Sequence, residues 1–251
     1  MALIEFQNVS KFFPHSTGRA LLRTHIAHWF GADHKEKFVA LKNISFQVAP
    51  GESLAVVGSN GAGKSTLLSL AAGLATPDQG RVLVNGHVAA LLELGSGFHP
   101  DLTGSENLLL NSALLGRSRK QTLALAEKIT EFSGIADFMD EPIRTYSSGM
   151  VMRLAFSIAI HTEQDILLLD EVLAVGDAGF QVKCREALSD FQRAGKSILF
   201  VSHSDAKVRE MCERALWLDH GELIMQGDAA GVLDAYSGRL ALQQQAGEQA
   251  T

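Results

Sequence analysis

Cysteine is almost missing from this chain of 251 residues, which has only Cys184 and Cys212. Two thiols cannot build a disulfide framework, so the plain reading is a pair of reduced side chains in helices. Long apolar runs are missing too. The longest, such as Ile166 to Leu169, have the length of a buried strand and fall far short of the roughly 20 residues that span a bilayer. The chain is therefore not expected to cross a membrane by itself. Its first residues, Met1-Ala2-Leu3-Ile4-Glu5, lack the basic and then apolar pattern of a secretory signal, which points to the cytoplasm. There is no basic excess either. A formal charge of -6 argues against nucleic acid as a partner, since such binders normally carry a basic face. What remains is an ordinary globular composition, 46% hydrophobic and 20% charged. The length suits one large α/β domain with a subdomain.

Leu3 to Val9 and Ala40 to Val48 read as strands, and Ala49-Pro50-Gly51-Glu52 as the turn that follows. Between those strands lies an insertion, residues 14–37. Its Leu21, Leu22, Ile26, Trp29 and Phe30 fall on one side of a possible helix, which either covers the subunit's own surface or meets a membrane partner. Ser53 to Val57 is a short apolar run suited to a central parallel strand, and it leads into a glycine-rich loop and a helix from Lys64 to Ala72. Helical signals dominate from His99 to His161, for example Glu106 to Leu115 and Gln121 to Phe132, and suggest a helical subdomain over 99–162. Strands return at Ile166 to Leu169 and Ser197 to Val201, with a helix near Phe180 to Arg193 between them. This alternation implies a mostly parallel sheet covered by helices. Ala215 to Gln226 reads as a hairpin turning at His220-Gly221, Asp228 to Tyr236 as a short helix, and 241–251 as a polar tail.

Gly58-Ser59-Asn60-Gly61-Ala62-Gly63-Lys64-Ser65-Thr66 satisfies G-x-x-x-x-G-K-[ST] in full. Glycines let the backbone curl around a phosphate with its amides inward, and the next helix adds its positive end. Lys64 should reach the β- and γ-phosphates of ATP, and the Ser65 hydroxyl should ligate Mg2+. A dinucleotide fingerprint is excluded: counting from Gly61, Thr66 stands where the last glycine of G-x-G-x-x-G belongs. Asp170-Glu171 follows an apolar strand, at the end where open α/β sheets bind ligands. Asp170 fits a Mg2+ ligand and Glu171 the base that orients water. His203 follows Ser197 to Val201 and should open at the same edge, within reach of a γ-phosphate. No metal besides Mg2+ is implied; His25, His28 and His34 in the insertion read as solvent-facing.

Tyr146-Ser147-Ser148-Gly149-Met150 opens an apolar helical segment, and by itself reads as a simple helix cap or an anion site. In order with the loop, the acidic pair and His203, it makes the chain resemble the ATP-binding subunit of an ABC transporter, over roughly Leu3 to Tyr236. The pentapeptide is similar to that family's signature, usually Leu-Ser-Gly-Gly-Gln. The resemblance implies an α/β fold: a P-loop NTPase domain of the ABC ATPase type over 1–240, with a mostly parallel core, an antiparallel β subdomain and an inserted helical subdomain. It also implies head-to-tail pairing, in which Ser147, Ser148, Gly149 and Met150 of one copy complete the ATP site of the other. With one copy of each motif, the chain looks like half of a homodimer. Phe13 lies where the family stacks an aromatic on adenine. Ala174-Val175-Gly176-Asp177 occupies the D-loop, with Asp177 expected to reach toward the other subunit.

Several positions depart from the common pattern. Ser148 and Met150 replace the usual glycine and glutamine, and the D-loop ends Val-Gly-Asp. The Q-loop segment, Leu91 to Pro100, has no glutamine, with Glu93 within one residue of its position. Together with Thr103-Gly104-Ser105-Glu106-Asn107, these features are similar to ABC exporters of O-antigen, capsule and teichoic acid polysaccharides. That likeness implies a peripheral ATPase on the cytoplasmic side of the inner membrane, driving a lipid-linked glycan through a separate polytopic permease. A short hairpin, a helix and a polar tail read after His203, so no carbohydrate-binding domain is expected there and glycan selection is expected in the permease. Rival readings are an ABC ATPase for another substrate, such as a lipid or drug, and a soluble ABC protein of repair or translation. Repair ATPases carry a long coiled coil and translation factors usually two cassettes, and neither pattern is present. A P-loop kinase would leave the pentapeptide and His203 unexplained.

Overall fold

Strands β3 (Ser53–Val57), β6 (Ile166–Leu169) and β7 (Ser197–Val201) are apolar apart from an opening serine in two of them, and every residue in them is buried. Successive side chains of a strand point to opposite faces, so such runs need cover on both sides. Ala55, Val57, Leu167, Leu169, Ile198 and Phe200 enter one core, with Phe156, Phe180, Leu188 and Val208. Leu54, Val56, Ile166, Leu168, Leu199 and Val201 enter a second, with Ile4, Phe46 and Leu67. The result is a sheet packed between two layers.

The computed structural model describes residues 2–14, 37–91, 97–170 and 176–248, so nearly all of the insertion lies outside the described residues. The central sheet has the order β5 (Val88–Leu91), β6, β7, β3, β8 (Arg214–Asp219) and β9 (Glu222–Asp228). It is parallel except for β9, which returns from β8 as a hairpin. A separate antiparallel sheet has the order β2 (Lys37–Val48), β1 (Ile4–Pro14) and β4 (Gln79–Val84). It covers one face of the central sheet together with helix α1 (Lys64–Ala71). Helices α4 (Ser148–His161), α5 (Ala178–Arg193), α6 (Asp205–Met211) and α7 (Ala229–Glu248) cover the other face.

Helices α2 (Gly104–Leu114) and α3 (Arg119–Ser133) pack with α4 around Leu108, Ile129, Ile143, Leu154 and Ile158, a third core that defines the helical subdomain. Capping boxes start both: Thr103 with Glu106, and Ser118 with Gln121. Gly134 ends α3 in the left-handed conformation at φ 67°. Among the described residues, no helix is long and apolar enough to cross a membrane.

The structure adds three elements that the hydrophobic pattern does not announce. β4 has no buried residue and β5 has only four residues, so each owes its form to a neighbouring strand. Helix α6 has only seven residues, too few for a clear period. The C-terminal helix corrects an expectation. It does not stop at Tyr236 but runs to Glu248, through the stretch expected to be a polar tail. Its Leu-Ala-Leu-Gln-Gln-Gln-Ala run consists of good helix formers, and Val232 and Leu233 anchor it in the first core.

Cys184 lies in α5 and Cys212 directly after α6, and both thiols are buried. Desolvation pushes each up to about 12, since burial penalises the thiolate. At pH 8 the native thiols are therefore expected to react with a disulfide reagent on the order of a thousandfold slower than in the unfolded chain. Ellman titration with and without guanidinium checks this.

Candidate functional site

The glycine-rich loop continues directly from β3. Gly58, Gly61 and Gly63 have φ of 151°, 81° and 103°, values that side chains disfavour. A Cβ on Gly58 would lie 2.2 Å from the carbonyl oxygen of Leu218 in β8, and one on Gly63 2.5 Å from that of Ala40 in β2. The loop is therefore pressed onto two strands. Around Gly61 a Cβ would meet nothing within 4 Å, which marks the open side. Gly63 caps α1 without any side chain, so the positive end of the helix faces the concavity of the loop. The Lys64 side chain is buried, and its ammonium donates to the carbonyls of Gly58 at 2.7 Å and Ser59 at 2.8 Å. Ser65 is exposed. A concave amide surface with a fixed ammonium and a neighbouring hydroxyl suits a phosphate chain.

Strand register brings the other groups to the same edge. β7 lies between β3 and β6, with Val201 opposite Val56 and Phe200 opposite Leu169. Asp170, His203 and the loop thus leave three adjacent strands at one end, within about 10 Å across two strand spacings. Asp170 is half-buried and His203 exposed. After His203, Ser204 accepts a hydrogen bond from the Lys207 amide and caps α6. Ser202 accepts from the Ser204 amide at 3.0 Å. Glu171 and Glu93 lie outside the described residues.

Phe13 stands opposite Phe38 in the β1–β2 ladder, two residues along β2 from Ala40, whose carbonyl abuts Gly63. It is 42% exposed, and the Lys11 ammonium lies 5.5 Å from the ring centroid.

The signature turn is elsewhere. Ser147 caps α4 and accepts from the Met150 amide at 3.2 Å, and Ser147 and Ser148 are exposed. The Tyr146 hydroxyl donates to the Phe138 carbonyl at 2.6 Å and ties the turn to the helical subdomain. Helix α4 packs on the sheet face opposite α1, so turn and loop head helices on opposite faces.

Asp177 is exposed and has partners within its own chain. It caps α5 by accepting from the Phe180 amide at 2.9 Å, and it pairs with Arg153 of α4 at 2.5 Å. The Phe180 amide first, then the Arg153 charge, hold its carboxyl below the usual range. Its carboxylate keeps most of its surface open, at 68% side-chain exposure. Arg153 stands one turn after the signature, 5.2 Å from the Phe180 ring centroid, and no sequence motif marks it. The turn at residues 219–221 does more than join the hairpin strands. Gly221 N–H donates to the Ala62 carbonyl at 3.1 Å, and so supports the loop from below.

The ABC transporter family profile matches residues 41–174, more than half of the chain, from beside the loop to past the acidic pair. The chain belongs to the ABC transporter family. As an ABC protein it is an ATPase, and the loop fits the nucleotide in its glycine cradle, its uncapped helix end and its buried Lys64. Its relatives include the O-antigen export system ATP-binding protein RfbB of Klebsiella pneumoniae, 46% identical over 95% of this chain and 99% of the relative. The protein of the same name in Myxococcus xanthus is 39% identical over 96% of this chain and 57% of its own length. The teichoic acids export ATP-binding protein TagH of Bacillus anthracis is 42% identical over 83% of this chain and 38% of its own. Among solved structures, the dimeric bacterial ABC transporter cassette MJ0796 superposes with a TM-score of 0.72 over 90% of this chain and 98% of that one, at 21% identity. That likeness establishes the ABC ATPase fold.

Proposed function

We propose that this chain is the ATP-hydrolysing subunit of an exporter for a lipid-linked polysaccharide of the O-antigen class. It works as a homodimer under a separate polytopic permease, on the cytoplasmic side of the inner membrane. The observation that carries the substrate class is 46% identity to an O-antigen export ATP-binding protein across 95% of the chain. The pairing is supported by the exposed signature turn, which heads a helix on the sheet face opposite the loop and is available to a second copy.

ATP, when bound with Mg2+, supplies a phosphoanhydride bond whose cleavage drives the cycle. The amides of Gly61 to Lys64 and the Lys64 ammonium hold the phosphates, and Phe13 stacks on the base. Ser65 and Asp170 would hold Mg2+, which would screen the phosphate charge. Glu171 orients water and accepts its proton, His203 contacts the transferred phosphoryl group, and Glu93 takes the place of the Q-loop glutamine. Ser147, Ser148 and Gly149 of the other copy bind the γ-phosphate with a helix N-terminus, so the site is complete only when the dimer closes.

Glu171→Gln is the direct test. With the permease present, it is expected to lower ATP turnover by at least about 100-fold while ATP binding persists, because the amide keeps the shape and loses the base. Undiminished turnover would end the proposed chemistry. For the substrate, cells lacking the chain should lose surface polysaccharide and accumulate the lipid-linked glycan inside. Normal surface polysaccharide would instead direct the assignment to another exported molecule.

A further inference from the structure

We infer that the C-terminal helix α7 positions the phosphate-binding loop, with Arg239 as the positioning residue and Asp219 as the group it holds. Helix α7 is fastened to β8 by Val232 and Leu233, both fully buried, and by Tyr236, whose ring meets that of Trp217 edge-on at 5.6 Å. One turn further, the Arg239 guanidinium lies 5.4 Å from the Trp217 ring centroid and donates to Asp219 Oδ2 at 2.9 Å. Asp219 ends β8 with its side chain only 15% exposed, so this pair is better shielded than an ordinary surface ion pair. The His220 ring, itself exposed, lies 2.8 Å from the other carboxylate oxygen.

Residues 218–221 touch the loop at two points. The Leu218 carbonyl occupies the space where a Gly58 side chain would be, and Gly221 N–H donates to the Ala62 carbonyl at 3.1 Å. The Gly221 carbonyl also accepts from the Lys42 amide at 2.8 Å. Between these contacts the chain makes a costly turn: His220, which is not glycine, sits at φ 46°. A turn of this kind keeps one geometry only when its flanks are held, and Asp219 is the flank that Arg239 holds. A cavity of about 70 Å³ separates the two parts, with Ser59 on the loop side and Tyr236 and Arg239 on the helix side. The direction of the loop amides governs phosphate binding, so α7 acts on affinity from outside the site. It needs no contact with the nucleotide.

The inference rests on the loop being the ATP site. Arg239→Gln, Asp219→Asn and the double variant are compared with Arg239→Lys on the full chain, by equilibrium ATP binding and by NMR-detected exchange of the Gly221 amide without nucleotide. Arg239→Gln is expected to weaken ATP binding about three- to tenfold and to speed Gly221 exchange, with the thermal midpoint moving by no more than about 3 °C. The double variant should be no worse than the stronger single change, and Arg239→Lys should restore most of the affinity. Wild-type affinity in Arg239→Gln, fully additive effects, or unchanged Gly221 exchange would each overturn the inference. A general structural defect would appear as a large midpoint drop that Arg239→Lys shares, and would also overturn it. Should the wild-type chain bind no ATP, the site assignment fails, and the amide exchange still decides whether Arg239 holds the turn.

Discussion

Gly149→Asp is expected to lower ATP turnover at least about 100-fold while leaving the fold and the subunit's own ATP affinity intact. The fold has room for the change, because a Cβ at Gly149 would meet nothing closer than the Ser147 hydroxyl at 3.8 Å. A carboxylate in the first turn of α4 would also suit the helix, by about 0.3–1 kcal/mol. The damage falls on phosphate. A helix N-terminus offered to the γ-phosphate of the second copy would carry a like charge, and loss of a single well-placed donor already costs on the order of 100- to 1000-fold in comparable sites. The chain's own loop heads a helix on the opposite sheet face and is left alone. Turnover within about threefold of wild type would defeat the composite-site proposal. Mixing this variant with Lys64→Ala sharpens the test, since a mixed dimer retains one site in which both loop and signature are native. Turnover should reappear on mixing, and its failure to do so would count against head-to-tail pairing.

Lys64→Ala is expected to weaken ATP binding on the order of 100-fold. The Lys64 side chain is buried, with its ammonium fixed by the carbonyls of Gly58 and Ser59, so it stands in place before a phosphate arrives. A charge-assisted hydrogen bond contributes about 1.5–3 kcal/mol, and a buried ammonium facing two phosphates makes more than one. The variant also leaves the Gly58 carbonyl short of a donor in a buried position, a loss of about 1–3 kcal/mol that should appear as a lower thermal midpoint. Lys64→Arg is not expected to rescue binding, because a planar guanidinium does not fit a pocket shaped for a compact ammonium. Isothermal titration with Mg-ATP measures the loss, and near-native affinity in Lys64→Ala would remove Lys64 from the phosphate site.

The elements legible in the chain are those whose reason is local. β3, β6 and β7 stand where the apolar runs place them, because a strand buried on both faces announces itself without reference to a partner. The helices over Gly104–Leu114 and Arg119–Ser133 stand close to the expected stretches Glu106 to Leu115 and Gln121 to Phe132, for equally local reasons. β4 was not legible, since all its residues are exposed or half-buried and its pairing with β1 is with residues 69 to 80 positions earlier. Arg153 was missed for a similar reason: its partner Asp177 is 24 residues away, at the cap of a different helix.

Contiguous chemistry belongs to the sequence. The loop from Gly58 to Thr66, the strand that delivers Asp170 and the serine-glycine turn each work through neighbouring residues, so their types and order were enough to indicate an ABC ATPase. Juxtaposition belongs to the tertiary structure. Register across β6, β7 and β3 brings Asp170, His203 and the loop to one edge, and opposite packing faces part the signature from the loop. Asp177 is paired with Arg153 across two helices, and a helix about 180 residues further along the chain holds the turn beneath the loop. The physical reason is the same in each case: hydrogen bonds and buried surface between distant segments depend on where the cores place those segments.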